Sequence, residues 1–262
     1  MSRPMLQNHI FLTLELAKRD IKARYAGSSL GIFWAFLQPL LQLILFTFVF
    51  STVLKISLAG ERGIENFPLF LFAGLLPWMG IQEMLVRSTT VLVDQGTLVK
   101  KLAFPPHILV GSILVSALLH QGVAAILFMI ILAFFGEWHW TALGLPVLMV
   151  LQTLMVMGIC YLLAGLQVFF RDTAQLVSYA TLVWFYGTPI VYPLSLINNP
   201  RLVSVLKANP ATLLVEAYRD LLLRGTLPGA GGLLVVLILG SVLTYVGIRA
   251  FHRWRPAYAD LL

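Results

Sequence analysis

Apolar residues in this chain run in blocks that polar residues close off. Residues 30–54 contain no Asp, Glu, Lys or Arg. As a helix, 31–54 would extend about 36 Å at about 1.5 Å per residue, more than the roughly 30 Å hydrocarbon core of a bilayer. Similar blocks recur at 68–93, 108–135, 142–170, 173–196 and 231–249. They predict an all-α integral membrane protein with six transmembrane helices. Ahead of the first block, HIFLTLELAKRDIKAR places Ile10, Leu14, Ala17 and Ile21 on one side and Lys18, Arg19, Lys22 and Arg24 on the rest. That pattern predicts an amphipathic interface helix over 9–25, lying in the headgroup plane. The competing reading is a solvated helix start that only follows the positive-inside rule. The small residues AGSS at 26–29 suit a turn from that helix into the first span.

Polar residues inside the blocks refine the picture. Pro39 sits in the first span and Pro77 in the second, and each removes a backbone hydrogen bond. Gln38 and Gln42 share a helix face with Trp34, which turns that face toward protein or a pore. Glu83 and Arg87 are spaced for an ion pair on one helix, although any intramembrane charge is also a functional suspect. His120 and Gln121 interrupt the third span and predict interhelical hydrogen bonds. Trp138 and Trp140 fit the aromatic belt at a membrane surface. Gly187, Pro189 and Pro193 argue against a regular helix in the outer half of 173–196. Asn199-Pro200 and Asn209-Pro210 each place a capping side chain before a proline at a first helical position. They predict two short helices within 199–225, a re-entrant or interfacial pair before the last span. The loop 94–107 (DQGTLVKKLAFPPH) allows two helical turns before its prolines.

Composition supports the membrane assignment and narrows the chemistry. Of the 262 residues, 59% are hydrophobic and 11% charged, against about 25% charged in soluble domains. Mean hydropathy is +0.90. One membrane domain accounts for 1–262. The net charge of +7 would suggest nucleic acid in a soluble protein; here basic cytoplasmic loops explain it and no nucleic-acid partner is expected. With both termini cytoplasmic, eleven lysines and arginines fall inside and six outside, Arg87 counted with neither. That asymmetry sets the orientation. The first 30 residues lack a signal-peptide pattern, so the first span is expected to be retained. Cys160 is the only cysteine, which excludes an intrachain disulfide. No GxxxxGK[ST], HExxH or nucleophile elbow occurs. No catalytic or metal residues are therefore expected, and no cofactor in this chain.

What remains is a path whose energy comes from elsewhere. The first span carries Phe33, Trp34, Phe36, Phe46, Phe48 and Phe50, and the fifth Tyr179, Trp184, Phe185, Tyr186 and Tyr192. Such rings offer sugar C–H groups an apolar face with, for Tyr and Trp, a polar tip. They equally serve as core or lipid-facing filler. A stand-alone ion-coupled carrier would need intramembrane carboxylates near the midplane, and Glu83 is the sole candidate.

RDIKARYAGSSLGIFWAFLQPLLQLILFTFVFS, LVKKLAFPPHILV, VFFRDTAQL and GTPIVYP, in that order, resemble segments of the ABC-2 type permeases that export bacterial surface polysaccharides. The first motif is closer to the O-antigen and teichoic-acid permeases than to the capsule branch. The resemblance implies a homodimer in the bacterial inner membrane, working with two copies of a nucleotide-binding subunit that holds ATP and Mg. It implies a coupling helix in 94–107, with Gly96, Leu98, Lys100, Lys101 and Phe104 meeting that ATPase. It implies a conduit between the first and fifth spans, lined by Phe33, Trp34, Gln38, Tyr179, Trp184 and Tyr186. The implied cargo is a polysaccharide on undecaprenyl diphosphate. Arg19, Lys22 and Arg24 would meet the diphosphate, since guanidinium forks match phosphate oxygens; anionic membrane lipids compete for that role. A permease for a drug or small lipid is the nearest alternative.

Overall fold

The computed structural model describes residues 3–55, 66–100 and 104–262. The described residues are helical, with no strand. Among the described residues, five helices are long and apolar enough to cross a bilayer. They are α2 (Trp34–Thr47, continued as a wider turn through Phe48–Val53), α3 (Phe67–Asp94), α5 (His107–Phe134), α6 (Leu145–Phe169) and α10 (Ala230–Leu261). The basic N-terminal helix is α1 (Arg3–Tyr25), and α4 (Gly96–Val99) is a single turn.

The fifth apolar block is shorter as a helix than its length suggests. α7 (Thr173–Tyr186) ends after 14 residues, where the Gly187, Pro189 and Pro193 cluster begins. Two short helices follow, α8 (Pro200–Ala208) and α9 (Pro210–Arg219). Their caps are those the Asn-Pro pairs predict: Asn199 accepts from the Arg201 and Leu202 amides, and Asn209 from the Ala211 amide. The last helix is longer than the apolar block. It runs to Leu261, well past 249, because Phe251, Trp254 and Tyr258 recur on one face and pack on α6, Phe251 against Tyr161 and the other two against Phe169.

α3 is the centre of the bundle, with α2, α5, α6, α7 and α9 packed around it. Lipid tails are as apolar as leucine, so burial of apolar area does little to hold such helices together; close packing and interhelical hydrogen bonds do more. Both occur here. α6 and α10 meet at glycines: a Cβ on Gly158 would overlap the Leu243 carbonyl, and one on Gly247 would overlap the Gly158 backbone. Gln121 of α5 and Gln152 of α6 exchange amide hydrogen bonds of 3.2 and 3.0 Å. The Tyr218 hydroxyl donates to Gln152 Oε1 at 2.8 Å, which ties α9 to the same buried point.

Candidate functional site

Three helices each present a polar pair one turn apart: Asp20 and Arg24 on α1, Glu83 and Arg87 on α3, Ser116 and His120 on α5. The fold brings the three pairs together. Arg24 Nη1 lies 2.5 Å from Glu83 Oε1. Arg87 Nη2 donates to Asp20 Oδ1 at 2.6 Å, and the Ser116 hydroxyl to Asp20 Oδ2 at 2.5 Å. His120 Nδ1 is 2.6 Å from Glu83 Oε2. The Glu83–Arg87 pair visible in the sequence is the longest of these ion pairs at 3.4 Å, apart from Arg24–Asp20 at 3.5 Å. The short contacts cross between helices and fasten α1 to α3 and α5. Burial works against the Asp20 charge, but hydrogen bonds from Arg87 and Ser116 and the two nearby guanidiniums outweigh it, so its pKa lies below the ordinary value. Two carboxylates and two guanidiniums leave the cluster formally neutral, His120 aside.

Arg24, Glu83, Arg87 and His120 of the cluster form one wall of a groove of about 640 Å³. Opposite it stand Trp34, Gln38 and Gln42 of α2, with Tyr25 and Ser28 at the turn out of α1 and Gln82 on α3. This is the face of α2 that its glutamines marked as turned away from lipid. The arrangement offers an aromatic plane, the amide side chains of Gln38, Gln42 and Gln82, and a wall of charges paired with one another, in which Arg24 Nε alone is buried without a partner.

The remaining sequence-selected residues fall elsewhere. Phe33, Tyr179 and Tyr186 are 55%, 62% and 57% exposed and do not line the groove. Trp184 is packed: its indole N–H donates to Asn209 Oδ1 at 3.0 Å and its ring meets Trp78 edge-on at 5.7 Å. Lys22 is exposed, and exposed Arg19 makes a long 3.4 Å contact to Gln95. Arg24 is spent on Glu83. In the 94–107 segment, Gly96 and Leu98 lie in α4, Leu98 and Phe104 lean on the core, and Lys100 is exposed. Lys101 lies outside the described residues. Asp20 and Ser116 gain their roles only here, while His120 makes the interhelical contact that its place in the third span predicts, with Glu83 as its partner. Asp20 could have been singled out as the one acid within the basic stretch 18–24, four residues before Arg24. Among the described residues no group of His, Cys, Asp or Glu is arranged to hold a metal ion.

A multi-pass helical bundle with a polar groove among its helices is the architecture of a membrane transport protein, and the comparisons with known proteins fix the class. The chain belongs to the ABC-2 type transporter family, which it matches over residues 12–223. It is 31% identical over 251 residues to the O-antigen export system permease protein RfbA of Myxococcus xanthus, covering 95% of this chain and 94% of that one. To the protein of the same name from Klebsiella pneumoniae it is 28% identical over 256 residues, covering 96% and 95%. To the polysialic acid transport protein KpsM of Escherichia coli it is 23% identical over 239 residues, covering 89% and 90%. Permeases of this family work with an ATP-binding partner.

Proposed function

We propose that this chain is the membrane-spanning subunit of an ATP-driven exporter, and that its cargo is an O-antigen-like polysaccharide linked to undecaprenyl diphosphate. The observation that carries the reading is the groove. Its neutral charge wall, glutamine amides and Trp34 suit uncharged sugar rings, which stack on an aromatic face and hydrogen-bond without ionic contacts. The diphosphate is then left to Arg19 and Lys22, exposed on α1. Exposed Ile10, Phe11 and Leu14 on the same helix support its seat at the acyl boundary of an interface.

α7 makes a sixth crossing together with the irregular chain that follows it. At about 21 Å the helix alone is too short. Thr188, Ile190 and Val191 are buried, and non-helical backbone is tolerated at membrane depth only where protein or water covers it. α8 and α9 form the re-entrant pair on the outer side, and both termini lie in the cytoplasm. Two copies of the chain face each other across α2 and α7, so that Phe33, Tyr179 and Tyr186 line the conduit beyond the groove. α4 and its flanks, Gly96 to Phe104 with Lys100 and Lys101, dock on the ATP-binding subunit, which supplies ATP, Mg and hydrolysis. Deleting the gene tests the reading: lipid-linked glycan accumulates on the inner leaflet and disappears from the cell surface. Normal surface glycan would overturn it.

A further inference from the structure

Where α10 leans on α6, the bundle has a second hollow of about 540 Å³ that shares no residue with the groove. Leu154 of α6 lines it, with Ser241, Tyr245, Ile248, Arg249 and His252 of α10. At 3.6 residues per turn these five α10 residues fall within an arc of about 100°, so one face presents them all. The Thr244 hydroxyl donates to the Leu154 carbonyl at 3.1 Å and ties the two walls together. Exposed Val242 and Val246 follow on the same helix. The hollow is apolar along most of its length and basic at one end. There the Arg249 guanidinium lies over the Tyr245 ring, 5.0 Å from its centre. The His252 ring stands 5.8 Å from that of His107, which meets His9 at 5.3 Å. Among the described residues, no carboxylate pairs with Arg249 or His252.

We propose that this hollow binds a resident anionic phospholipid of the cytoplasmic leaflet, its phosphate on Arg249 and His252 and one acyl chain laid along Ile248 and Leu154 toward Ser241. The leaflet rests on the proposed cytoplasmic placement of both termini; the site itself does not depend on the cargo. Height supports a lipid. His9 belongs to α1, the helix seated at the interface, and through His107 it marks the level of His252 as that of the headgroups. From His252 to Ser241 is about 16 Å along the axis, close to half of the roughly 30 Å hydrocarbon core, which is the depth of one leaflet. Charge selects the headgroup. A zwitterionic head would bring an ammonium to a site with basic groups and no carboxylate, whereas an anionic head brings only what Arg249 can pair. Cation–π attraction to Tyr245 already restrains the guanidinium, so less side-chain freedom is lost on binding. The cargo's own lipid diphosphate is placed elsewhere: Arg24 at the groove lies about 22 Å along α1 from His9. A phospholipid seated here touches α6 and α10 at once and stabilises the seam at which Gly158 and Gly247 meet.

The test takes the full permease, stripped of lipid in detergent, and adds phosphatidylglycerol or phosphatidylcholine in mixed micelles. Native mass spectrometry reads the lipid retained, and melting temperature reads its effect. Phosphatidylglycerol should be retained and raise the melting temperature; phosphatidylcholine should do neither. Arg249→Gln with His252→Gln should weaken retention roughly fivefold or more and remove the rise. Arg249→Lys keeps the charge and should retain most of both. Ser241→Trp leaves the basic end intact but fills the hollow, and should lose the lipid too. Arg201→Gln with Lys207→Gln removes two cations from α8 and should change nothing. Without lipid, each variant should melt as the parent does, which separates binding from folding. Parental retention in the Arg249/His252 variant would overturn the proposal, and parental retention in Ser241→Trp would reduce it to surface charge. Displacement of phosphatidylglycerol by equimolar undecaprenyl phosphate would give the site to the cargo's carrier instead. A disulfide-linked dimer of Tyr245→Cys in native membranes would give it to a second copy of the chain. None of these readouts involves export or ATP, so failure here leaves the exporter reading standing, and normal surface glycan after gene deletion would leave this site standing.

Discussion

Two ionic clusters in this protein hold the same inventory, two acids and two arginines, and differ in where along the chain those residues come from and in how deeply one arginine is buried. Glu216, Arg219, Asp220 and Arg224 come from one short stretch at the end of α9. Arg219 is 1% exposed, lies 3.6 Å from the centre of the Phe70 ring and donates to the Ile190 carbonyl at 3.0 Å. Asp20, Arg24, Glu83 and Arg87 come from two helices far apart in sequence, with Ser116 and His120 added from a third. Their charged side chains keep 16% to 31% exposure, those of Arg24, Glu83 and Arg87 along the groove. The first cluster is a pin: a sequestered cation fixing α9 to α3. The second is a clasp: each member has several partners within reach, and water or cargo can replace one of them. Local charges buried against an aromatic ring make scaffold; charges gathered from distant helices beside a cavity are placed to exchange partners.

The comparison breaks most visibly at Arg219. Replacing it by Leu removes the guanidinium from between Phe70 and Gly74 and takes from Glu216 its 2.8 Å contact. Breaking one side of a buried pair costs about 3–5 kcal/mol, and unfolding of the purified protein in detergent should register it. A loss under about 1 kcal/mol would mean that the pin is no stronger than the clasp. Glu83→Gln keeps the shape of the clasp and deletes the charge that holds Arg24 and His120. Water reaches this site, so the cost should be smaller, about 1–3 kcal/mol. A double-mutant cycle with Arg24→Gln should return a coupling between about 0.5 and 3 kcal/mol; additive effects would remove Arg24–Glu83 from the clasp.

Acid sharpens the same contrast. Asp20 and Glu216 both titrate below the ordinary carboxylate value. For each, burial opposes the charge and nearby arginines overcome it, with Ser116 adding a hydrogen bond at Asp20. A depressed folded-state pKa stabilises the fold above the unfolded value and loses that stability as pH falls through the folded one, here below about pH 4. Melting temperature followed from pH 7 to pH 3 should therefore fall at the acid end. Asp20→Asn should start lower at pH 7 and fall less, since its share has already gone. An unchanged acid limb in that variant would place the loss at the α9 cluster instead.

The pin and the clasp were not equally legible. Periodicity marked the long spans, and Asn199 and Asn209 announced α8 and α9 because an Asn-Pro cap is settled within a few residues. Gln38, Gln42 and Trp34 marked the groove face because one helix turn determines which side chains align. Glu83 and Arg87 were visible as a pair, but their stronger partners were not: Asp20 and His120 lie far along the chain, and only the packing of α1 and α5 on α3 chooses them. Arg219 was hidden for a related reason, since nothing in an amphipathic nine-residue stretch says that Phe70 will receive its cation. Helicity past Ile248 was missed because charge was read as the end of a span, while the aromatic spacing of Phe251, Trp254 and Tyr258 carried the opposite message.

The smallest expected change in stability falls at Trp34, and it separates the clasp's structural role from the groove's transport role. Trp34 is 39% exposed and touches the groove from the wall opposite the charges, so Trp34→Ala should cost under about 1 kcal/mol. If the groove only accommodates the clasp, export should continue as before. If sugar rings stack on Trp34, losing that aromatic platform should slow export several-fold while the protein still assembles and melts normally. Trp34→Phe keeps a ring face and should restore most of the rate. Surface glycan measured after a pulse of synthesis reads both variants, and equal rates for Ala and Phe would make the groove a packing feature of the clasp alone.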